Sequence, residues 1–319
     1  MRLKLVPKNT SWNFFSRSKL WIGISIVLVI LSLLSFFIQS LNFGIDFRGG
    51  TSIRTESSEP IDVADYRSAL SSLDLGDITI SEVFDPNFAD DQNVAMIRIQ
   101  AQPGQEAATS TLVENSLQKL REVSEDIKFV SVESVGPKVS GELIKTAIIA
   151  VILAISAVLF YIWIRFEWQF AVGAISALIH DVILTIGIFS ALQIKFDLAI
   201  IAAILTIVGY SLNDTVVVFD RVRENLRKFK KRSLVEVMNL SINETMSRTV
   251  MTSVTTLLAL ISLFILGGDV IRGFVFAMIW GVVVGTYSSI FIASAILLWT
   301  GVKRDWSKPN AEAGTQVPQ

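Results

Sequence analysis

Apolar residues run along this chain in six long blocks, at 20–39, 143–164, 170–192, 198–219, 250–266 and 274–299. A helix needs roughly 20 apolar residues to cross a hydrocarbon core of about 30 Å, so each block predicts a membrane span. The first block follows Arg2, Lys4, Lys8, Arg17 and Lys19, as a signal peptide would. Its apolar core is too long for one, and "FFIQSLNFG" lacks a small-x-small cleavage site, which predicts an uncleaved anchor.

Between the first two blocks the pattern changes. "TSIRTE" alternates as a strand does, and "DVADYRSALSSL" carries a helical apolar stripe with Asp62 as its N-cap. "DITISEVF" and "VAMIRIQ" alternate again around a turn at "DPNFADDQN". "EAATSTLVENSLQKLREV" has helical spacing, and "IKFVSVESV" closes the module as a strand. The order β-α-β-β-α-β is that of a ferredoxin-like α+β sandwich. The expected architecture is a polytopic α-helical membrane protein with six transmembrane helices and this α+β domain between helices 1 and 2. The chain divides into an arm at 1–19, helix 1 at 20–39, the α+β domain at 40–142, helices 2–6 at 143–299 and a tail at 300–319.

Composition agrees. Of 319 residues 51% are hydrophobic and 18% charged, with mean hydropathy +0.55; soluble domains carry about 25% charged residues. The charges are unevenly spread. The N-terminal arm holds five basic residues, the stretch 220–232 holds seven, and the tail adds Lys303, Arg304 and Lys308. Six spans place all three on one side, which the positive-inside rule assigns to the cytoplasm. The segment 40–142, with eighteen acidic and eight basic residues, then faces outward, and both termini lie inside. There is no cysteine and a single histidine, His180, which removes disulfides, thiol catalysis and multi-histidine metal sites. No phosphate-binding loop, dinucleotide fingerprint or Ser-His-Asp set is present. We expect no metal, no cofactor, no nucleic acid and no enzymatic activity.

The informative residues are the ionisable groups inside the spans, which cost about 2.5–3.5 kcal/mol each to insert. They are Asp181 beside His180, Asp214 in "GYSLNDTVVVFDRVREN", and Arg248 in "NETMSRTVMTSVTTLL". Asp214 and Arg248 fall at similar depth on consecutive antiparallel spans, so they are positioned to meet. One reading is a structural ion pair. The other is a proton site: Arg248 holds Asp214 ionised, and separation lets desolvation favour its neutral form. Asn213, Tyr210, Ser211 and Thr215 lie close by, and Thr245, Thr249, Thr252 and Thr256 form a hydroxyl stripe near Arg248. Asp181 is a further candidate for the path. His180 is more simply a packing residue. At the membrane flanks of the outer domain, "FGIDFRGGT" offers Gly44, Gly49 and Gly50 for a tight bend, with Asp46 and Arg48 as candidates for a vestibule. "VGPKVSGEL" offers Pro137 and Gly141 as a stiff, then flexible joint.

These segments, together with "RFEWQFAVGAISALIHDVILT", resemble in order the SecD/SecF family of protein-export membrane subunits, within the RND superfamily. The resemblance covers both flanks of the outer domain and four of the six spans. It implies a SecD-like subunit completing a twelve-span unit, association with the SecYEG channel, and late-stage movement of a translocating preprotein at the expense of the proton gradient. It also implies that Asp214 and Arg248 belong to the proton path, with protons as the coupling ion and membrane lipid as surroundings. An efflux-transporter half and a purely structural assembly factor are the competing expectations.

Overall fold

A computed structural model describes residues 10–73, 75–83, 85, 88–89, 91–101 and 110–302. The expected basic residues Arg2, Lys4, Lys8, Lys303, Arg304 and Lys308, and parts of the 85–93 turn and of the second outer helix, lie outside the described residues.

Among the described residues, six helical segments are long and apolar enough to cross a membrane. They are α1 (Ser18–Gln39), α5 (Pro137–Arg165), α6 (Trp168–Leu192), α7 (Leu198–Lys228), α8 (Leu234–Leu266) and α9 (Asp269–Ser288), which runs on through a π-helical turn, Ser289–Ala293, into α10 (Ser294–Thr300). Between α1 and α5 lie α2 (Ile45–Arg48), β1 (Gly50–Ser57), α3 (Val63–Leu70), β2 (Ile78–Val83), β3 (Asn93–Gln100), α4 (Ser110–Arg121) and β4 (Lys128–Val135). The strands form one antiparallel sheet in the order β2-β3-β1-β4, so each β-α-β half brackets a strand of the other. The predicted six-helix protein with a ferredoxin-like domain is therefore the fold observed.

The domain core lies on one face of the sheet. Ile53, Ile80, Ala95, Ile97 and Ile99 pack there against Tyr66 and Leu70 of α3 and Leu120 of α4. Asp62 caps α3 as expected, accepting a hydrogen bond from the Ala64 N–H at 2.7 Å. The opposite face, with Ser52, Arg54 and Arg98, looks across a cleft of about 590 Å³ at the ends of α7 and α9. Burial there lowers the pKa of Arg98, and Asp269 and Asp197 across the cleft partly offset it.

In the membrane part, α6, α7 and α9–α10 form the interior, while α1, α5 and most of α8 present apolar side chains outward. Outward apolar faces are the expected state where lipid is the solvent. Glycines set the closest approaches. Gly281 of α9 faces Ile207 of α7, and Gly187 of α6 faces Ser32 of α1, with no room for a Cβ at either place.

Three boundaries differ from expectation. Helix α8 begins at Leu234, not near 250, because Ser233 and Glu236 close a capping box that starts the helix in the polar stretch. Arg248 is therefore well inside α8. Helix α7 continues past the predicted end at 219 to Lys228, so the charged stretch "DRVREN" is helical and belongs to it. Pro137 occupies the first turn of α5, where its missing N–H costs nothing, and Gly141 lies within the same helix. The expected flexible joint at Pro137 and Gly141 is thus a regular helix start.

Candidate functional site

Helix α7 carries the site. Asp214 is buried at 3% exposure, and its Oδ2 has no hydrogen-bond partner. Native proteins pair most buried polar atoms, so a bare carboxylate oxygen calls for a reason. Arg248 stands close enough to act on Asp214 electrostatically. Among the described residues, however, no ion pair within 4.0 Å joins them, and Arg248 is exposed on the outer surface of the bundle. Asn213 is exposed as well. The expected pairing of Asp214 with Arg248 is open in this arrangement. The reason is helical phase: Asp214 points into the bundle and Arg248 out of it. Tyr210 Oη and Thr249 Oγ1 are likewise buried without partners. Two other members of the threonine stripe are bound locally, with Thr245 donating to Ser241 O and Thr252 to Arg248 O.

Asp181 sits in a different environment. It is 1% exposed, and its Oδ2 accepts from Ser211 Oγ at 2.6 Å and Ser288 Oγ at 2.8 Å. Its Oδ1 lies 3.0 Å from His180 Nδ1, while His180 Nε2 is buried and unpartnered. Ser289 extends the cluster, pairing with Thr215 Oγ1 at 2.8 Å and donating to Ser211 O at 3.2 Å. The cluster thus ties α6, α7 and α9 together across the middle of the bundle. It adjoins the π turn, where Ser294 Oγ satisfies the Ser289 carbonyl at 3.2 Å. Ser288 and Ser289 were not singled out from sequence. The signal was present in "TYSSIFIAS", a run of hydroxyls in an otherwise apolar span.

The other end of α7 is tied to the outer domain. Asp46 Oδ2 accepts the Leu198 N–H at 3.0 Å, so a carboxylate from the strand entry caps the first turn of α7. Gly44 N–H donates to Phe196 O at 2.8 Å, and Phe196 N–H to Asn42 O at 2.8 Å. The rings of Phe43, Phe47 and Phe196 cluster beside these bonds, two of the three pairs edge-to-face. Asp46 therefore belongs to a strap and also lines the cleft under the sheet, while Arg48 stays exposed. Gly49 and Gly50, at φ 73° and 130°, turn the chain from strap into sheet, and a Cβ on Gly50 would strike the Ile99 carbonyl.

A buried bare carboxylate on a helix strapped to an outer α+β domain defines a class: a polytopic membrane protein that links an ionisable group in the bilayer to a domain outside it. Comparison narrows this. Residues 115–303 match the family described as protein export membrane protein SecD/SecF, C-terminal, and residues 34–61 match the SecD/SecF GG motif, which contains Gly49 and Gly50. The chain belongs to the SecD/SecF family. It is 58% identical to a protein translocase subunit SecF from Cereibacter sphaeroides, over 99% of this chain and 97% of that one. A SecF from Rhodobacter capsulatus is 57% identical, over 96% of this chain and 94% of its own length. A crystal structure of SecDF, a translocon-associated membrane protein from Thermus thermophilus, superposes with a TM-score of 0.81 at 33% identity. A SecDF crystal structure in a super-membrane-facing form gives 0.69. The chain matches 94% of itself to each SecDF chain but spans only 40% of their length.

Proposed function

We propose that this chain is an accessory subunit of the Sec protein-export machinery that converts proton uptake at Asp214 into movement of its outer domain. The single observation that carries the reading is Asp214 itself: buried, with a bare oxygen, on the helix whose far end is capped from the outer-domain strap. A carboxylate without donors is held charged only by nearby cations, and Arg248 is the one on the neighbouring helix. Proton uptake removes the charge and with it the pull toward Arg248, so α7 and α8 settle differently. Because Asp46 and the 42–44 segment are bonded to the start of α7, displacement of that helix is passed to the sheet. One proton crossing the membrane supplies about 2.3 kcal/mol per 100 mV, comparable to a helix cap, which suits a shift between two arrangements but not unfolding.

The SecDF relatives, whose chains are longer than this one, support a SecD-like subunit as partner. Asn213 and Arg248, exposed beside Asp214, would lie against it and complete the proton path. Asp181, fully bonded, would act as a relay or as a fixed anchor for α7. The SecYEG channel and a translocating preprotein follow as further partners, with the protein multi-pass in the bacterial inner membrane, its termini cytoplasmic and residues 40–142 periplasmic. Protons are the coupling ion, and no cofactor is required. An efflux role draws no support from the relatives, which are protein-export subunits.

The test is Asp214→Asn, which keeps the side-chain shape and removes the titration. The variant should assemble with its SecD-like partner, measured by co-purification, yet lose proton-dependent preprotein export in membrane vesicles. Assembly with normal export overturns the proposal.

A further inference from the structure

We propose that the cleft between the α5–α6 turn and the tail of α7 binds the headgroup of an anionic phospholipid. Helix α7 is 31 residues long, about 46 Å at 1.5 Å per residue, and exceeds a hydrocarbon core of about 30 Å. Its last turns therefore stand at the headgroup level. They are amphipathic, with Val222, Asn225 and Leu226 buried and the charged residues turned toward the end of α5. Arg165, the last residue of α5, bonds Asp220 at 2.9 Å, and Arg223 Nη1 donates to the Arg165 carbonyl at 3.3 Å. Between these elements lies a cavity of about 490 Å³.

The lining decides the ligand. It carries Arg165, Arg223, Arg227 and Lys228 against Asp220 and Glu224. Both acids are already engaged, Asp220 by Arg165 and Glu224 by Arg221 at 2.6 Å. Among the described residues, neither Arg223 nor Lys228 has a carboxylate within 4.0 Å. The cavity thus offers unneutralised positive charge, whereas the cleft under the sheet carries as many acids as bases. Its depth is marked by Trp163 and Trp168, 66% and 58% exposed on either side of the turn, since indoles favour the membrane interface. Phe160 and Ile164, exposed on the last turns of α5 before Arg165, offer an apolar surface on the bilayer side, where acyl chains would lie. A phosphodiester oxygen pair suits the Arg223 fork. A zwitterionic lipid brings its own ammonium into a cationic site and is disfavoured.

The experiment is native mass spectrometry of the full-length protein in detergent, titrated with phosphatidylglycerol or with phosphatidylethanolamine. Each interfacial cation contributes about a factor of five toward an anionic lipid, so the double substitution Arg223→Gln with Lys228→Gln should weaken phosphatidylglycerol binding about 25-fold. Phosphatidylethanolamine binding should be weaker in the wild type and unchanged in the variant. Arg223→Lys with Lys228→Arg, which keeps both charges but moves the fork, should lose much less phosphatidylglycerol affinity than the glutamine pair. Equal binding of the two lipids by the wild type overturns the proposal, as does unaltered phosphatidylglycerol binding by a folded glutamine variant. Displacement of the lipid by millimolar inorganic phosphate also overturns it, by assigning the cleft to soluble anions. Should the glutamine variant lose its helicity, the wild-type lipid preference and the charge-keeping variant still decide. None of these readouts depends on export, so they stand or fall apart from Asp214.

Discussion

Helix α7 can transmit a displacement only if it is packed tightly on its neighbours, and that packing can be tested at Gly281. A Cβ there would overlap Cγ1, Cγ2 and Cδ1 of Ile207, which is 1% exposed. Overpacking costs about 1–3 kcal/mol, and the gain in helix propensity from glycine to alanine returns about 1 kcal/mol. Gly281→Ala alone should therefore destabilise by up to about 2 kcal/mol. Ile207→Ala alone removes the clashing atoms and leaves a cavity. Large-to-small changes in water-soluble cores cost about 2–5 kcal/mol. In lipid the loss is of packing and not of transfer from water, so the lower half of that range applies. With both changes, the new methyl group enters the space vacated by Ile207. Gly281→Ala should then stabilise the Ile207→Ala background by about 1 kcal/mol, a reversal of sign. The assay is a double-mutant cycle on unfolding in detergent, followed by helicity and by tryptophan emission. Additive effects would mean that α7 and α9 are not in close contact at this seam, and the rigid-helix coupling would have to be abandoned.

Two further outcomes are expected. Asp46→Ala removes a charged cap from α7 and should cost about 1–2 kcal/mol, whereas Asp46→Asn keeps a capping oxygen and should cost less; Asp197, which caps Ile200 N–H at 3.3 Å, limits the loss, and equal effects of the two substitutions on thermal unfolding would show that the bond to Leu198 carries no load. In the outer domain, Asp126 accepts from the Ser124 hydroxyl, the Ser58 hydroxyl and N–H, and the Ser57 hydroxyl, which holds its carboxyl well below the usual range. A depressed folded-state pKa adds stability that is complete above the unfolded value of about 3.9 and is lost as pH falls through the folded value. The protection factors of the sheet amides, corrected for the intrinsic pH dependence of exchange, should therefore fall on acidification in the wild type and change less in Asp126→Asn, and identical acid profiles would remove Asp126 as the cause.

The serine cluster around Asp181 shows why part of the site stayed out of reach of sequence. Its members come from positions 181, 211 and 288–289 on three different helices, and no local spacing relates those three sites. They converge because α7 and α9 approach closely over Gly281 and Gly285. The same holds for Asp46 and Leu198, which are joined by a bond between distant segments. Arg248 and Asp214 illustrate the reverse: a pairing that depth alone allowed and helical phase left open.

What the chain's own order of residues determined is whatever depends on local period and solvent: the six spans, the β-α-β-β-α-β module, the Asp62 cap, the glycine turn at 49–50 and the presence of acids where lipid excludes water. Burial cost and backbone hydrogen bonding leave few choices once those patterns are written. The tertiary structure alone decided which oxygen of which acid is bonded. Asp181 became a saturated knot and Asp214 a bare carboxylate because the rotation of each helix, fixed by glycine contacts far along the chain, sets what its side chains meet.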